Sequence, residues 1–201
     1  TKEDISNVKY MLELMNIKYL VAEGEADLLC SKLCQKGIVD FVISEDMDLL
    51  TSGTSLLVRD FNIYNNNATL YDLNKILKKL DISYDMWINM CILFGCDYLK
   101  RINGIGPKKS FKYIKQNLSI EEIINDLKNK NVEIQANYLD EFKKYKDIFL
   151  NPTDIELSND FVKIETLFGN QEENIKQFMF KNTGLTKIKI ENRIKNIYNN
   201  N

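Results

Sequence analysis

YLVAEGEADLLCSKLCQKGIVDFVISEDMD, residues 19–48, decides the fold. Tyr19 to Val21 reads as a short strand. Ala26, Leu29, Cys30 and Leu33 then recur at three- and four-residue steps, the buried stripe of a helix, and Gly37 supplies the left-handed residue that ends one. Ile38 to Ser44 follows, β-branched and aromatic with little polarity, as a strand covered on both faces requires. After the turn at Gly53, Ser55 to Phe61 offers another strand. Strands alternating with helices predict a parallel α/β sheet, whose ligands bind beyond the carboxyl ends of the strands.

Outward from this stretch the pattern is helical. Upstream, Thr1 and Asp4 form a capping box for a helix to Met15 with Ile5, Val8, Met11, Leu12 and Met15 as its apolar stripe, stopped at Asn16. From Leu70 onward helices are predicted near Leu73 to Leu80, Tyr84 to Phe94, Lys108 to Lys115, Ile120 to Asn129 and Asn137 to Phe149. Asn151-Pro152 breaks the run, and Glu172 to Phe180 and Lys187 to Tyr198 complete it. Asn65 to Asn67 reads as a loop tip and Asn199 to Asn201 as a frayed end.

Composition narrows the chemistry. With 44% hydrophobic residues among 201, the chain can bury one core with a helical extension, or two small ones. A net charge of −2 excludes a globally basic nucleic-acid binder, so contact with DNA needs a local patch. The absence of histidine removes Ser-His-Asp, Cys-His and His-metal chemistry, leaving carboxylates, lysines, tyrosines and bound metal. Cys30, Cys34, Cys91 and Cys96 form no CxxC pair and read as reduced thiols of an intracellular protein rather than a zinc site. No apolar run is long enough to span a bilayer. A start at Thr1 rather than Met reads as a piece of a longer protein.

Five carboxylates fall in three clusters: Glu25 and Asp27 in EGEAD, Asp46 and Asp48 in SEDMD, and Asp97 in FGCDY. Oxygen donors of this kind bind hard divalent cations. Asp46 and Asp48 follow the predicted strand, and residues two apart in extended chain point the same way. Glu25 and Asp27 differ by roughly 200° on a regular helix. They can face one ion only if Gly24 or Glu25 is the N-cap and Asp27 lies in the first turn. Each cluster alone also has a bland reading, as a solvated loop, acids at a helix start, or a helix terminator.

After Asp97 comes the glycine turn Gly104-Ile-Gly106-Pro107-Lys108. Gly104 and Gly106 let backbone approach a phosphate, and Pro107 suits the first helical position. Lys100, Arg101, Lys108, Lys109, Lys112 and Lys115 surround it with no acid between Tyr98 and Asn117, a basic patch on an acidic protein. The spacing fails the nucleotide P-loop pattern. A solvated lysine face is the plainer reading of the lysines alone.

EGEAD, ISEDMDLL, CILFGCDYL and INGIGPKKS, in that order and spacing, resemble the structure-specific 5′ nucleases, flap endonuclease above all. EENIKQFMF and KIKIENRIKNIY add a weaker likeness near the C-terminus. The resemblance implies a PIN-like α/β nuclease core with a partial parallel sheet over 1–69, a helix-two-turn-helix DNA-binding unit over 70–118, and C-terminal helices over 119–201. It implies a hydrolase that cuts phosphodiesters at 5′ flaps of branched DNA in replication and repair. Glu25, Asp27, Asp46, Asp48 and Asp97 match the family's catalytic metal ligands, for two Mg²⁺ ions about 4 Å apart with Mn²⁺ as a substitute. Gly104, Gly106, Lys108, Lys109 and Lys112 match its DNA contacts, and the carbonyls of Arg101, Ile102 and Ile105 its K⁺ site.

There are departures. The family's N-terminal half, with further metal ligands, a catalytic lysine and arginine and the helical arch, has no counterpart here, so this span alone is expected to be nearly inactive. Asp27 stands where the family usually shows Glu. No sliding-clamp peptide is present, and a monomer is expected. A non-catalytic DNA-junction module and a related 5′ exonuclease or bubble-cutting nuclease are the alternatives. The family implies a nuclear location in a eukaryote and an intracellular one otherwise.

Overall fold

The computed structural model describes residues 1–62, 65, 67–150 and 171–198, with side chains to 195. The predicted break at Asn151-Pro152 and the end at Asn199 to Asn201 lie outside them. Two units separate. Thr1–Val21 groups with the C-terminal helices, and Ala22 begins a unit that runs through the middle of the chain, a different partition from the consecutive cuts at 69/70 and 118/119.

In the first unit α1 (Lys2–Leu14) starts at the predicted capping box, with Thr1 accepting from the Asp4 N–H, and Asn16 stops it in the left-handed region at φ 54°. Its buried stripe differs from the prediction. Ile5 and Val8 are exposed, and Leu14 is buried against Ile175 and Met179 of α9 (Gln171–Asn182) and Ile190 and Ile194 of α10 (Lys187–Tyr198). Tyr19 to Val21 joins no ladder. Its residue types suit a strand, but a strand exists only beside a neighbour, and its hydroxyl bond runs from Tyr19 back to Glu13 of α1.

The second unit opens with α2 (Ala26–Gln35), closed by Gly37 at φ 68°. Then come β1 (Val42–Ile43), the single-turn α3 (Asp48–Thr51), β2 (Leu56–Asn62) and β3 (Asn67–Asp72). The sheet is mixed, not parallel: β1 pairs with β2 in parallel, Val42 opposite Leu57, while β2 and β3 form an antiparallel hairpin, Leu57 opposite Tyr71, with a register break between Arg59 and Asn62. No strand is predicted at β3, which overlaps the predicted loop tip at Asn67 and, from Leu70, the start of the predicted helical pattern. Four of its six positions are exposed, and its alternation, Ala68 and Leu70 between Asn67 and Thr69, is too short to mark a strand. β1 is also shorter than Ile38 to Ser44 and is not covered on both faces: Val42 is buried, but Ile38, Phe41 and Ile43 are exposed along an edge with no second neighbour among the described residues.

Helices α4 (Leu73–Leu80), α5 (Tyr84–Phe94), α6 (Pro107–Lys115), α7 (Ile120–Asn129) and α8 (Tyr138–Leu150) follow. Two cores hold this unit. Leu49, Leu50 and Leu57, none with any exposed surface, seat α3 and β2 beneath α2 and α4. Ile88, Ile92 and Leu93 of α5 pack with Ile114, Ile123, Leu127 and Phe142, binding α5 to α8 together. Trp87 and Tyr84 join the two cores, donating from Nε1 to the Leu50 carbonyl at 3.3 Å and from the hydroxyl to the Thr51 carbonyl at 2.9 Å.

Candidate active site

Glu25 is the N-cap of α2, in extended backbone at φ −74°, ψ 126°, and Asp27 lies in the first turn. This is one of the two arrangements that reconcile the pair. Glu25 caps no backbone N–H with its side chain. Its Oε2 instead accepts a hydrogen bond from the Tyr98 hydroxyl.

Asp46 and Asp48 converge by a route other than extended chain. The chain turns after Ser44: the Asp46 N–H donates to Ser44 Oγ at 3.1 Å, and Asp46 Oδ1 accepts the Asp48 N–H at 2.8 Å. Asp48 is thus the first residue of α3, not part of a strand. An aspartate before a helix tends to close such a local turn, because its short carboxylate reaches the N–H two residues on. Leu49 and Leu50, next in sequence, fix the turn to the core.

Asp97 follows α5, placed by Gly95. That residue adopts φ 106°, and a Cβ there would stand 3.1 Å from Arg101 Cβ and 3.4 Å from Arg101 N. The Cys96 N–H donates to the Leu99 carbonyl at 3.3 Å. An open cavity of about 640 Å³ results, lined by Glu45, Asp46, Asp48, Gly95, Cys96 and Asp97. Two segments half a hundred residues apart in sequence thus share one acidic wall.

The charges show the crowding. Burial, then the negative charges of Asp46, Asp97 and Asp27, pushes the Asp48 carboxyl above the usual range, outweighing the backbone hydrogen bond from Asp97. Asp27 is also pushed up, by burial and by Asp46 and Glu25. Each of the five predicted acids thus lies close enough to at least one other to repel it, Glu25 to Asp27, Asp27 to Asp46 and Asp48, and Asp48 to Asp46 and Asp97, a repulsion that a divalent cation would relieve. Among the described residues, however, no three His, Cys, Asp or Glu side chains close on one point tightly enough to hold an ion unaided.

The loop that begins at Asp97 ends at the glycine turn. Leu99, Ile102 and Ile105 are buried and peg it to the core, while Lys100, Arg101, Asn103 and Gly104 face solvent. Gly104 needs to be glycine, at φ 75°; Gly106 is extended at φ −116°, ψ −175° as the N-cap of α6, with Pro107 at the first position. Lys108, Lys109 and Lys112 are exposed. Lys115 is not part of a free patch, since its Nζ bonds Asp81 Oδ2 at 2.8 Å and the Asp81 carbonyl at 2.9 Å. The Ile102 carbonyl accepts the Ile105 N–H at 3.0 Å.

Tyr98, Glu45 and Cys96 belong to the site's surroundings but were missed as candidates. Only the position of Tyr98 and Cys96 beside Asp97 could have marked them; the aromatic partners of Tyr98 lie far off in sequence, on α8.

Comparison with known proteins gives the family and the fold. The XPG I-region family matches residues 16–97, which hold all five acids. Flap endonuclease 1 of Cryptosporidium muris is 33% identical over 205 residues, covering 96% of this chain and 42% of that protein. The solved flap endonuclease-1 from Methanococcus jannaschii superposes with a TM-score of 0.74 at 27% identity, covering 99% of this chain and 58% of that one. The Holliday junction-resolving enzyme GEN1, solved with product DNA and Mg²⁺, shares the fold at a TM-score of 0.68 and 23% identity, over 88% of this chain and 51% of its own. The chain spans about half the length of the relatives it matches.

Proposed function

The chain belongs to the structure-specific 5′ nuclease superfamily, and from that premise we propose that it forms part of a metal-dependent flap endonuclease that hydrolyses phosphodiesters at 5′ flaps of branched DNA. One observation carries the reading: Asp46, Asp48 and Asp97 line a single cavity, and the loop that starts at Asp97 ends in the glycine turn and lysines of α6.

The donor set fits Mg²⁺. Every candidate ligand is a carboxylate oxygen, and Mg²⁺ dehydrates reluctantly, keeping several waters and taking only one or two carboxylates directly. That suits an open acidic wall. When bound, Mg²⁺, or Mn²⁺ in its place, supplies an activated water and stabilises the leaving oxygen. In this reading Asp46 and Asp48 are fixed by their turn, Asp97 by Gly95, and Asp27 by the first turn of α2.

The same reading treats α5, its loop and α6 as the helix-two-turn-helix unit. Its backbone at exposed Gly104 and half-buried Gly106, with Lys108, Lys109 and Lys112, grips duplex phosphates without reading sequence. Carbonyls of Arg101, Ile102 and Ile105 form the K⁺ site, and the protein works as a monomer where cellular DNA is, in the nucleus of a eukaryote. No helix among the described residues is long and apolar enough to cross a membrane.

Cleavage of a labelled 5′-flap duplex by the full-length protein tests the proposal. Asp46→Asn and Asp48→Asn should each abolish cutting in Mg²⁺ while leaving flap binding within about twofold, because neither change touches the lysines. A wild-type protein that binds the junction and never cuts it in Mg²⁺ or Mn²⁺ would make it a DNA-junction module instead.

A further inference from the structure

Tyr98 ties together two parts of the site that lie 73 residues apart: its hydroxyl donates to Glu25 Oε2 at the start of α2. Its ring is stacked on Tyr145 at 5.4 Å between centroids and 23° between planes, and meets the edge of Phe149 at 5.8 Å and 68°. Phe149 is buried, so the phenol stands on a platform anchored in the core of α5 and α8. Glu25 has no comparable anchor of its own. It is exposed, in extended backbone, and caps nothing. A long, unrestrained glutamate spreads over many rotamers and loses that freedom on binding an ion.

Building on the nuclease reading, we infer that Tyr98 is a positioning residue, its platform-mounted hydroxyl holding the Glu25 carboxylate in place for the divalent ion. Hydrogen bonds to ligating carboxylates orient them, and their loss typically weakens metal binding roughly 10–100-fold. Nothing in this role requires Tyr98 to touch substrate.

Titration calorimetry of the full-length protein with Mn²⁺ tests it, with no DNA present. Tyr98→Phe keeps the ring and removes only the hydroxyl. It should weaken Mn²⁺ binding about 10-fold or more while shifting the unfolding midpoint by no more than about 2 °C. In a Glu25→Ala background the same change should cost nothing further, because there is no carboxylate left to hold. Wild-type Mn²⁺ affinity in Tyr98→Phe overturns the inference, and so does an equal loss in the Glu25→Ala background. Asp46→Asn and Asp48→Asn, measured alongside, report on the underlying reading: if neither weakens Mn²⁺ binding, the acidic cavity is not the metal site and both ideas fall, whereas their weakening it beside an unaffected Tyr98→Phe sinks the inference alone.

Discussion

Replacing Gly95 with alanine isolates the joint that places Asp97. Gly95 sits at φ 106°, ψ 134°, where a Cβ is strained by about 1–3 kcal/mol, and the new methyl would press on Arg101 Cβ at 3.1 Å and its amide nitrogen at 3.4 Å, adding about 1 kcal/mol. The expected loss is roughly 3 kcal/mol. Two further glycines in the same unit separate these contributions. Gly37 has φ 68° but open space around its Cβ, so Gly37→Ala should cost about 1 kcal/mol from conformation alone. Gly24 has neither constraint, and Gly24→Ala should stay within about 0.5 kcal/mol. Urea unfolding followed by tryptophan fluorescence is the assay. The chain's single tryptophan is Trp87 of α5, so the signal reports on the unit that holds all three glycines. Midpoints should fall in the order Gly24→Ala, Gly37→Ala, Gly95→Ala with unchanged slope. A Gly95→Ala midpoint no lower than that of Gly37→Ala would refute the packing of Gly95 on Arg101 and with it the account of how Asp97 is aimed.

The other predictions concern charge. Lys112→Ala should reduce the slope of log affinity for duplex DNA against log salt by about 1, whereas Lys115→Ala should leave it unchanged, because Lys115 is committed to Asp81; equal effects would mean that this ion pair opens on DNA. Asp48 gives a pH prediction. An unfolded chain titrates this carboxyl near 3.8, and burial and its acidic neighbours raise it in the fold, so its contribution to stability is greatest below 3.8 and is lost as pH rises through the folded value. In chelator-treated buffer at pH 7 Asp48→Asn should therefore melt higher than the wild type, with the gap closing at pH 3.5 and shrinking when Mg²⁺ is added. A melting point at pH 7 below that of the wild type would contradict the crowding of acids around Asp48.

Helices were legible where a periodic stripe coincided with strong end signals. The ranges of α4, α5, α7 and α10 match the predicted segments, and Ser83 and Ser119 cap α5 and α7 through their side chains. The α2 start falls at Glu25, one of the two N-cap positions that would let its two acids face one ion. The sheet was less legible. Ile38 to Ser44 has the composition of a buried strand, but composition measures the capacity to be covered and not the presence of a cover, and only Val42 and Ile43 pair. In β3 the apolar period amounts to Ala68 and Leu70, too short to set a strand apart from the helix that follows. The turn at Asp46 was misread because period-two reasoning ignores a side chain that bonds its own backbone. The pairing of Lys115 with Asp81 and of Tyr98 with Glu25 are tertiary facts, each linking residues more than thirty positions apart, and no local pattern encodes them.

The central claim is that the acids of three separate turns serve one divalent-ion site. Anomalous scattering from crystals of the full-length protein soaked in Mn²⁺ tests it most directly. The account predicts Mn²⁺ peaks inside the cavity walled by Asp46, Asp48 and Asp97. A cavity without a peak at a Mn²⁺ concentration that supports flap cleavage would contradict it.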